Sequence, residues 1–589
     1  MTWTQNYDPF NNLLVSALVA ALPIFFLFWA LAIRKMKGYM ACLLTVAIAI
    51  GITVLAYRMP AKLALLSTLN GALYGLLPIC WIIITAVFLY NVTVKSGQFE
   101  IIKNFMASIT NDRRLQALLI AFSFGSFLEG TAGMGTPVAI TAGLMVGLGF
   151  DPLYAAGLSL IANTAPVAFG GVGVPIIMAS GVSGIPEMAV SQMVGRTLPF
   201  LSVIVPFYLV VLMAGWKGAV EVLPAILVSG VSFALAQWFS SNYLNPMLPA
   251  VLAGMVSIIC LILWLKVWKP AKTWHFKNEP VQAINTQVKY TPGQILKAWA
   301  PFLILTVMII AWSLQPVKDA LNSAFYKHGQ IKVEIPELHN VVVSGSSGKP
   351  LAQVFAFNYL SASGTAILLS SLISIPLVGL SYRTGAKLFL ATLNTLKFPI
   401  LTIASVVGFA FLANNSGMSI TMANALASTG VLFPFFSPFL GWLGVFLTGS
   451  DTSSNSLFCK LQYVTAEKLG IDPIVAVAAN ASGGVTGKMI SPQSLAVGAG
   501  AVGLVGKESD LFRFTVKHSF IMLIALGLIT TLQAYVIKWM VPTYRMLEST
   551  QARAASLAAT GRLYLAYLAV AVIVIVLAVA LSNTRKRTP

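Results

Sequence analysis

The chain has 589 residues, 58% of them hydrophobic and 9% charged, and carries a net charge of +20. So few charges cannot cover the surface of a soluble protein of this length. The apolar runs are long and lack the alternation of barrel strands, which excludes a β-barrel and leaves an all-α polytopic membrane protein. A surplus of Lys and Arg would suggest nucleic acid in a soluble chain; here it follows the positive-inside rule, and no nucleic-acid partner is expected.

The N-terminus, MTWTQNYDPF, has no Lys or Arg and is placed outside. The first apolar run, Leu13–Ile33, lacks a basic leader and is too long for a signal-peptide core, so no cleavable signal is expected. Arg34, Lys35 and Lys37 follow it on the inside. Gly38–Ala56 and Ala72–Tyr90 come next, then an inside cluster of Lys103, Arg113 and Arg114. Further apolar runs are Thr197–Leu212, Pro249–Leu265, Phe302–Trp312, Ile400–Leu412, Ser519–Ile537 and Leu563–Leu581. With the glycine-broken runs, about 14 spanning or half-spanning segments are expected, within a range of about 12–16.

The division that follows is 1–114, N-terminal transmembrane helices; 115–265, a first repeat; 266–297, a cytoplasmic loop; and 298–314, a transmembrane helix. Residues 315–356 form an external loop with a short β-like piece around VEIPELHNVVV. Residues 357–542 form a second repeat, and 543–589 a C-terminal extension with one more helix. The four cysteines are scattered and the four histidines sit in or beside loops, so neither a metal nor a cofactor is expected.

An internal echo defines the repeats. GSFLEG (125–130), GFDP (149–152), AN (162–163) and GGV (170–172) return in the same order as GVFLTG (444–449), GIDP (470–473), AN (479–480) and GGV (483–485). The basic clusters give the two copies opposite topology. Inverted repeats with glycine- and proline-broken segments at matching places point to the binding site of a secondary transporter.

GTAGMGTP (130–137) and GSDTSSN (449–455) read as irregular tips of half-helices or re-entrant hairpins. Irregular backbone survives at membrane depth only inside protein or beside a water-filled cavity. Helix N-termini there would present bare N–H groups to an anion. The candidate substrate-binding residues are Gly130, Thr131, Gly133, Asn163, Thr164, Thr452, Ser453, Ser454, Asn455, Asn480, Lys488 and Ser491. Glu129 and Asp451 are the candidate proton-coupling residues, because burial disfavours the charge on a carboxylate and intramembrane acids are usually functional. The bland alternative is a structural acid bonded to helix-end N–H groups. Lys488 suits a carboxylate substrate or Asp451, or else snorkels to an interface. Asp151 and Asp472, each before a proline, read as helix starts. No catalytic motif is present, and no enzyme activity is expected.

FLEGTAGMGTPVAITAGLMVGLGF, NTAPVAFG, FFSPFLGWLGVFLTGSDTSSNSLF, TGKMISPQSLA and AVGLVGKESDLFRFTVKHS resemble the bacterial L-lactate permease family, as do QNYDP and YGLLPICWIII. The resemblance reaches to about residue 542. It implies a proton-coupled carrier of L-lactate, with D-lactate and glycolate as further substrates, in the bacterial plasma membrane. Thr131 and Met134 depart from the small Ala-Ala-Gly-Phe-Gly-type sequence expected after FLEG, which bears on the pocket wall and the exact substrate. The expectation is therefore a monocarboxylate–proton symporter whose partners are its substrate, a proton and the bilayer. A sodium-coupled dicarboxylate carrier, a passive monocarboxylate channel and an intramembrane enzyme are the rival readings.

Overall fold

The computed structural model describes residues 2–545, except 35, 134, 277–289, 315, 318, 322–330, 347, 358–359 and 505–506. Met134 and the terminal run Leu563–Leu581 thus lie outside the described residues. The helices in chain order are α1 Leu13–Phe28, α2 Gly38–Leu55, α3 Ala61–Tyr74, α4 Trp81–Lys95, α5 Gln98–Ala107, α6 Arg113–Gln116 and α7 Gly125–Thr131. Next come α8 Thr136–Gly147, α9 Pro152–Ala162, α10 Gly170–Ser183, α11 Glu187–Glu221, α12 Leu223–Phe239, α13 Pro249–Val267 and α14 Pro292–Ser313. The last are α15 Ser363–Leu377, α16 Tyr382–Ser416, α17 Met418–Leu426, α18 Phe433–Thr448, α19 Asp451–Lys468, α20 Pro473–Lys488, α21 Pro492–Ala501 and α22 Glu508–Tyr535.

Among the described residues, ten helical stretches are long and apolar enough to cross a bilayer, or eleven if the pair α9–α10, bent by 65°, counts as one span. The fold is all-α and polytopic, with broken helices. The sequence count is higher because it includes hairpin arms too short or too polar to qualify, and the terminal run. Several hydroxyls inside the helices are satisfied locally: Thr45, Ser370, Ser371 and Ser374 each donate to the carbonyl four residues back. That removes the penalty of an unmet donor in hydrocarbon.

The little sheet present is in the N-terminal segment and residues 331–357. Strands β1 (Trp3–Thr4) and β3 (Val342–Val343) pair in parallel, and β2 (Ile331–Glu334) pairs antiparallel with β4 (Val354–Phe357). The amide of Gln5 donates to the carbonyls of Asn414 and Asn415, which ties this cap to the end of α16.

The repeat copies share their helix starts. Gly149 and Gly470 both take left-handed φ, at 97° and 66°. Asp151 and Asp472 then cap α9 and α20 with their side chains, and proline takes the first helical position. Both acids are therefore helix starts. Beyond that point the copies diverge. In the first, the helix stops at Ala162, and Gly171, Val172 and Gly173 are left-handed (φ 51°, 58°, 72°). A β-branched residue there is strained and must be held by its surroundings. In the second, Asn480 and GGV lie inside the unbroken helix α20.

Helices α18 and α20 cross with their backbones touching. Any side chain at Gly441 would collide with the Asn480 carbonyl, at Gly483 with that of Pro438, and at Gly487 with that of Trp442. Small residues permit this close approach, which is how helices associate where hydrophobic burial gives no bias. Helices α19 and α20 are buried along most of their length, packed among α10, α11, α16, α17, α18 and α22.

Candidate functional site

Two helical hairpins meet at one cavity. The first is α7 and α8; the second is α18, a turn at Gly449–Ser450, and α19. The second tip is tighter than expected. Gly449 (φ 70°) ends α18, Ser450 caps α19 by accepting from the Ser453 N–H, and Asp451–Asn455 form the first turns of a regular helix. The expectation of irregular backbone across GSDTSSN is corrected. The row of short polar side chains is there because a helix begins there and because the surrounding core is polar.

The cavity, of about 950 Å³, is lined by both tips, by Val167, Gly170, Gly171, Val174 and Pro175 at the broken α9–α10 connection and by Lys488 at the end of α20. Tyr39 and Phe398, stacked at 4.5 Å between ring centroids, lie on another part of its wall.

Its charged groups are arranged unequally. Lys488 Nζ donates to Glu129 Oε1 at 2.7 Å, and Asn163 Nδ2 donates to Glu129 Oε2 at 3.0 Å. Glu129 is 2% exposed, so this is a buried ion pair with both carboxylate oxygens engaged. Lys488 pairs with Glu129 rather than with Asp451 and does not snorkel. Asp451 is 3% exposed and borders the same cavity. Its Oδ2 receives only a long bond, 3.5 Å, from Asn455 Nδ2, and its Oδ1 has no partner among the described residues. It lies against Gly484, where any side chain would strike Oδ1. Like Glu129, Asp451 is therefore not a simple helix-end acid bonded to N–H groups.

Of the residues expected to bind substrate, Gly133, Thr452, Ser453 and Lys488 line the cavity, together with both acids. Thr452 and Ser453 make no side-chain hydrogen bond to the described residues, which leaves their hydroxyls free for a guest. The others are placed behind the wall. Gly130 packs on the backbone of α13 at Val251. Thr131 and Thr164 donate to carbonyls of their own turns. Ser454 donates to Gly441 O and Ser491 caps α21. Asn163 holds Glu129. Asn480 donates to Asn455 Oδ1 and accepts from Gln462, while Asn455 donates to Pro175 O, so these amides lock α10, α19 and α20 together. The cavity also takes in Thr448, Ser450, Gln493, Glu508 and Ser509, which were not among the expected binding residues. Ser450 and Gln493 carried a local signal, being a helix cap and a first-turn residue after Ser-Pro. Tyr39 and Phe398 carried none, since only the fold brings them there.

The L-lactate permease family model matches residues 16–537. The L-lactate permease of Bacillus subtilis is 56% identical over 564 residues, covering 92% of this chain and all of that protein. The glycolate permease GlcA of Escherichia coli is 53% identical over 553 residues, covering 91% and 99%. Among solved structures, the YdaH transporter of Alcanivorax borkumensis aligns over 79% of this chain and 87% of its own at 13% identity and a TM-score of 0.40. The matched family model and the relatives' shared length place the chain, a multi-pass membrane transport protein and not an enzyme, in the L-lactate permease family.

Proposed function

We propose that this chain imports L-lactate, with D-lactate and glycolate also accepted, by proton symport across the bacterial plasma membrane, with its N-terminus outside. The observation that carries the reading is a cavity that holds Lys488, the unbonded hydroxyls of Thr452 and Ser453 and the start of a helix. A small 2-hydroxy-monocarboxylate matches that set. Its carboxylate suits Lys488 and the N–H groups of Asp451 and Thr452 at the start of α19, which the Ser450 cap on the Ser453 N–H leaves available. Its hydroxyl suits Thr452 and Ser453. The names of the relatives support lactate and glycolate as the substrate class.

In this reading Gly133 allows close approach at the first tip. Gly130, Thr131, Asn163, Thr164, Ser454, Asn455, Asn480 and Ser491 set the wall's shape, and Glu129 holds Lys488 in place until substrate draws on it. A proton bound at Glu129 or Asp451 balances the substrate's charge. The expected substrate range is narrow: unlabelled D-lactate and glycolate compete with labelled L-lactate in proteoliposomes, and succinate does not. Competition by succinate together with a sodium requirement would replace this reading with a sodium-coupled dicarboxylate carrier.

A further inference from the structure

We infer that Asp451, and not Glu129, is the group that takes up and releases the transported proton. The inference rests on the symport reading above and deepens it. Both oxygens of Glu129 are engaged, one by a charged amine and one by an amide. Protonating Glu129 would leave Lys488 as a buried cation without its counter-ion, the costly way to break a buried pair. Asp451 has no such commitment. One oxygen lacks a partner among the described residues, the other has a 3.5 Å contact, and the side chain borders the cavity from which a proton would arrive.

The groups that face Asp451 are few. Lys488 from α20 and Glu129 from α7 act on it electrostatically, and Cys459 lies further along its own helix. Helices α10, α17 and α18 carry no titratable side chain. The charged residues of α16 precede its cavity-lining segment Phe398–Ile403, and Lys397 bonds Asn394 at the exposed surface. Glu508 of α22 borders the same cavity.

The charge count then explains the coupling. With Glu129 and Lys488 paired, the pair is neutral. An ionised Asp451 is a like charge beside the lysine and the helix start that an incoming carboxylate needs, so it opposes binding. A protonated Asp451 removes that repulsion and leaves Lys488 able to share itself with the guest. The proton comes from cavity water on one side of the membrane, forms an O–H bond on the Asp451 carboxyl, and returns to water on the other side. One anion and one proton cross together.

The test uses the full-length protein reconstituted in liposomes, with L-lactate as the probe. In the wild type, lactate affinity weakens as pH rises and uptake against a gradient is proton-driven. In Asp451→Asn, the pH dependence of affinity disappears and uptake stops at equilibrium. Glu129→Gln binds lactate more weakly but keeps the pH dependence. Concentrative uptake or pH-dependent binding in Asp451→Asn would overturn the assignment. A wild type that never accumulates lactate would remove the symport reading itself, a distinguishable result. Should Asp451→Asn not fold, infrared spectra of Glu129→Gln decide: the protonated-carboxyl band that grows on acidification persists, and its loss would assign the proton to Glu129 instead.

Discussion

Lys488→Ala lowers lactate uptake at least about a hundredfold, because it removes the cation proposed to hold the substrate and leaves buried Glu129 without its counter-ion. Removing one partner of a buried pair costs about 3–5 kcal/mol, and each ~1.4 kcal/mol is a factor of ten. The two consequences separate in a double variant. Lys488→Ala alone is also less heat-stable in detergent, since Glu129 then lies buried with the Asn163 amide in place of an ion pair. Adding Glu129→Gln restores thermal stability but not uptake. If the double variant recovers uptake, Lys488 serves only to neutralise Glu129 and has no part in binding substrate.

The second large effect lies away from the cavity. Arg114 is fully buried at the start of α6. Its guanidinium donates to Asp112 through Nε at 3.1 Å and a terminal nitrogen at 2.8 Å, to Glu221 at 2.6 Å, and to the carbonyls of Gly218 and Lys272 at 3.0 Å. One side chain thus joins the entrance of the first hairpin to the end of α11 and to the segment after α13. Arg114→Ala takes the guanidinium counter-charge from Asp112, which is 2% exposed and keeps the backbone N–H groups of residue 114 and Trp274, and costs about 3 kcal/mol. The measurable result is a large fall in the yield of folded protein and in thermal stability. Arg114→Lys recovers little of it, because an ammonium cannot reproduce the planar fork. An unchanged melting temperature in Arg114→Ala would show that the cluster contributes nothing to the fold.

Both effects depend on contacts that differ in how far they could be read from the residues alone. The spans were legible, since twenty apolar residues in a row have one stable solution in a bilayer. The Asp-Pro helix starts were legible too, because capping is local. Glu129 and Asp451 stood out because acids are rare in such surroundings. The partner of Lys488 was not legible, because Glu129 lies 359 positions away and only the convergence of the two hairpins brings them together. The same holds for Asn455 and Asn480. Their amide groups look equally suited to a substrate or to a helix contact, and tertiary packing decided for the contact. The helical state of Asp451–Asn455 was missed because Ser, Thr, Asn and Asp disfavour helix interiors, while at a helix start they stabilise it.

The central claim is that lactate moves with a proton. Uptake of labelled L-lactate into proteoliposomes, in sodium-free buffer with and without an inward proton gradient, tests it most directly. The account predicts accumulation above the external concentration that a protonophore collapses. Equilibration at the same rate and to the same level with or without the gradient would contradict it.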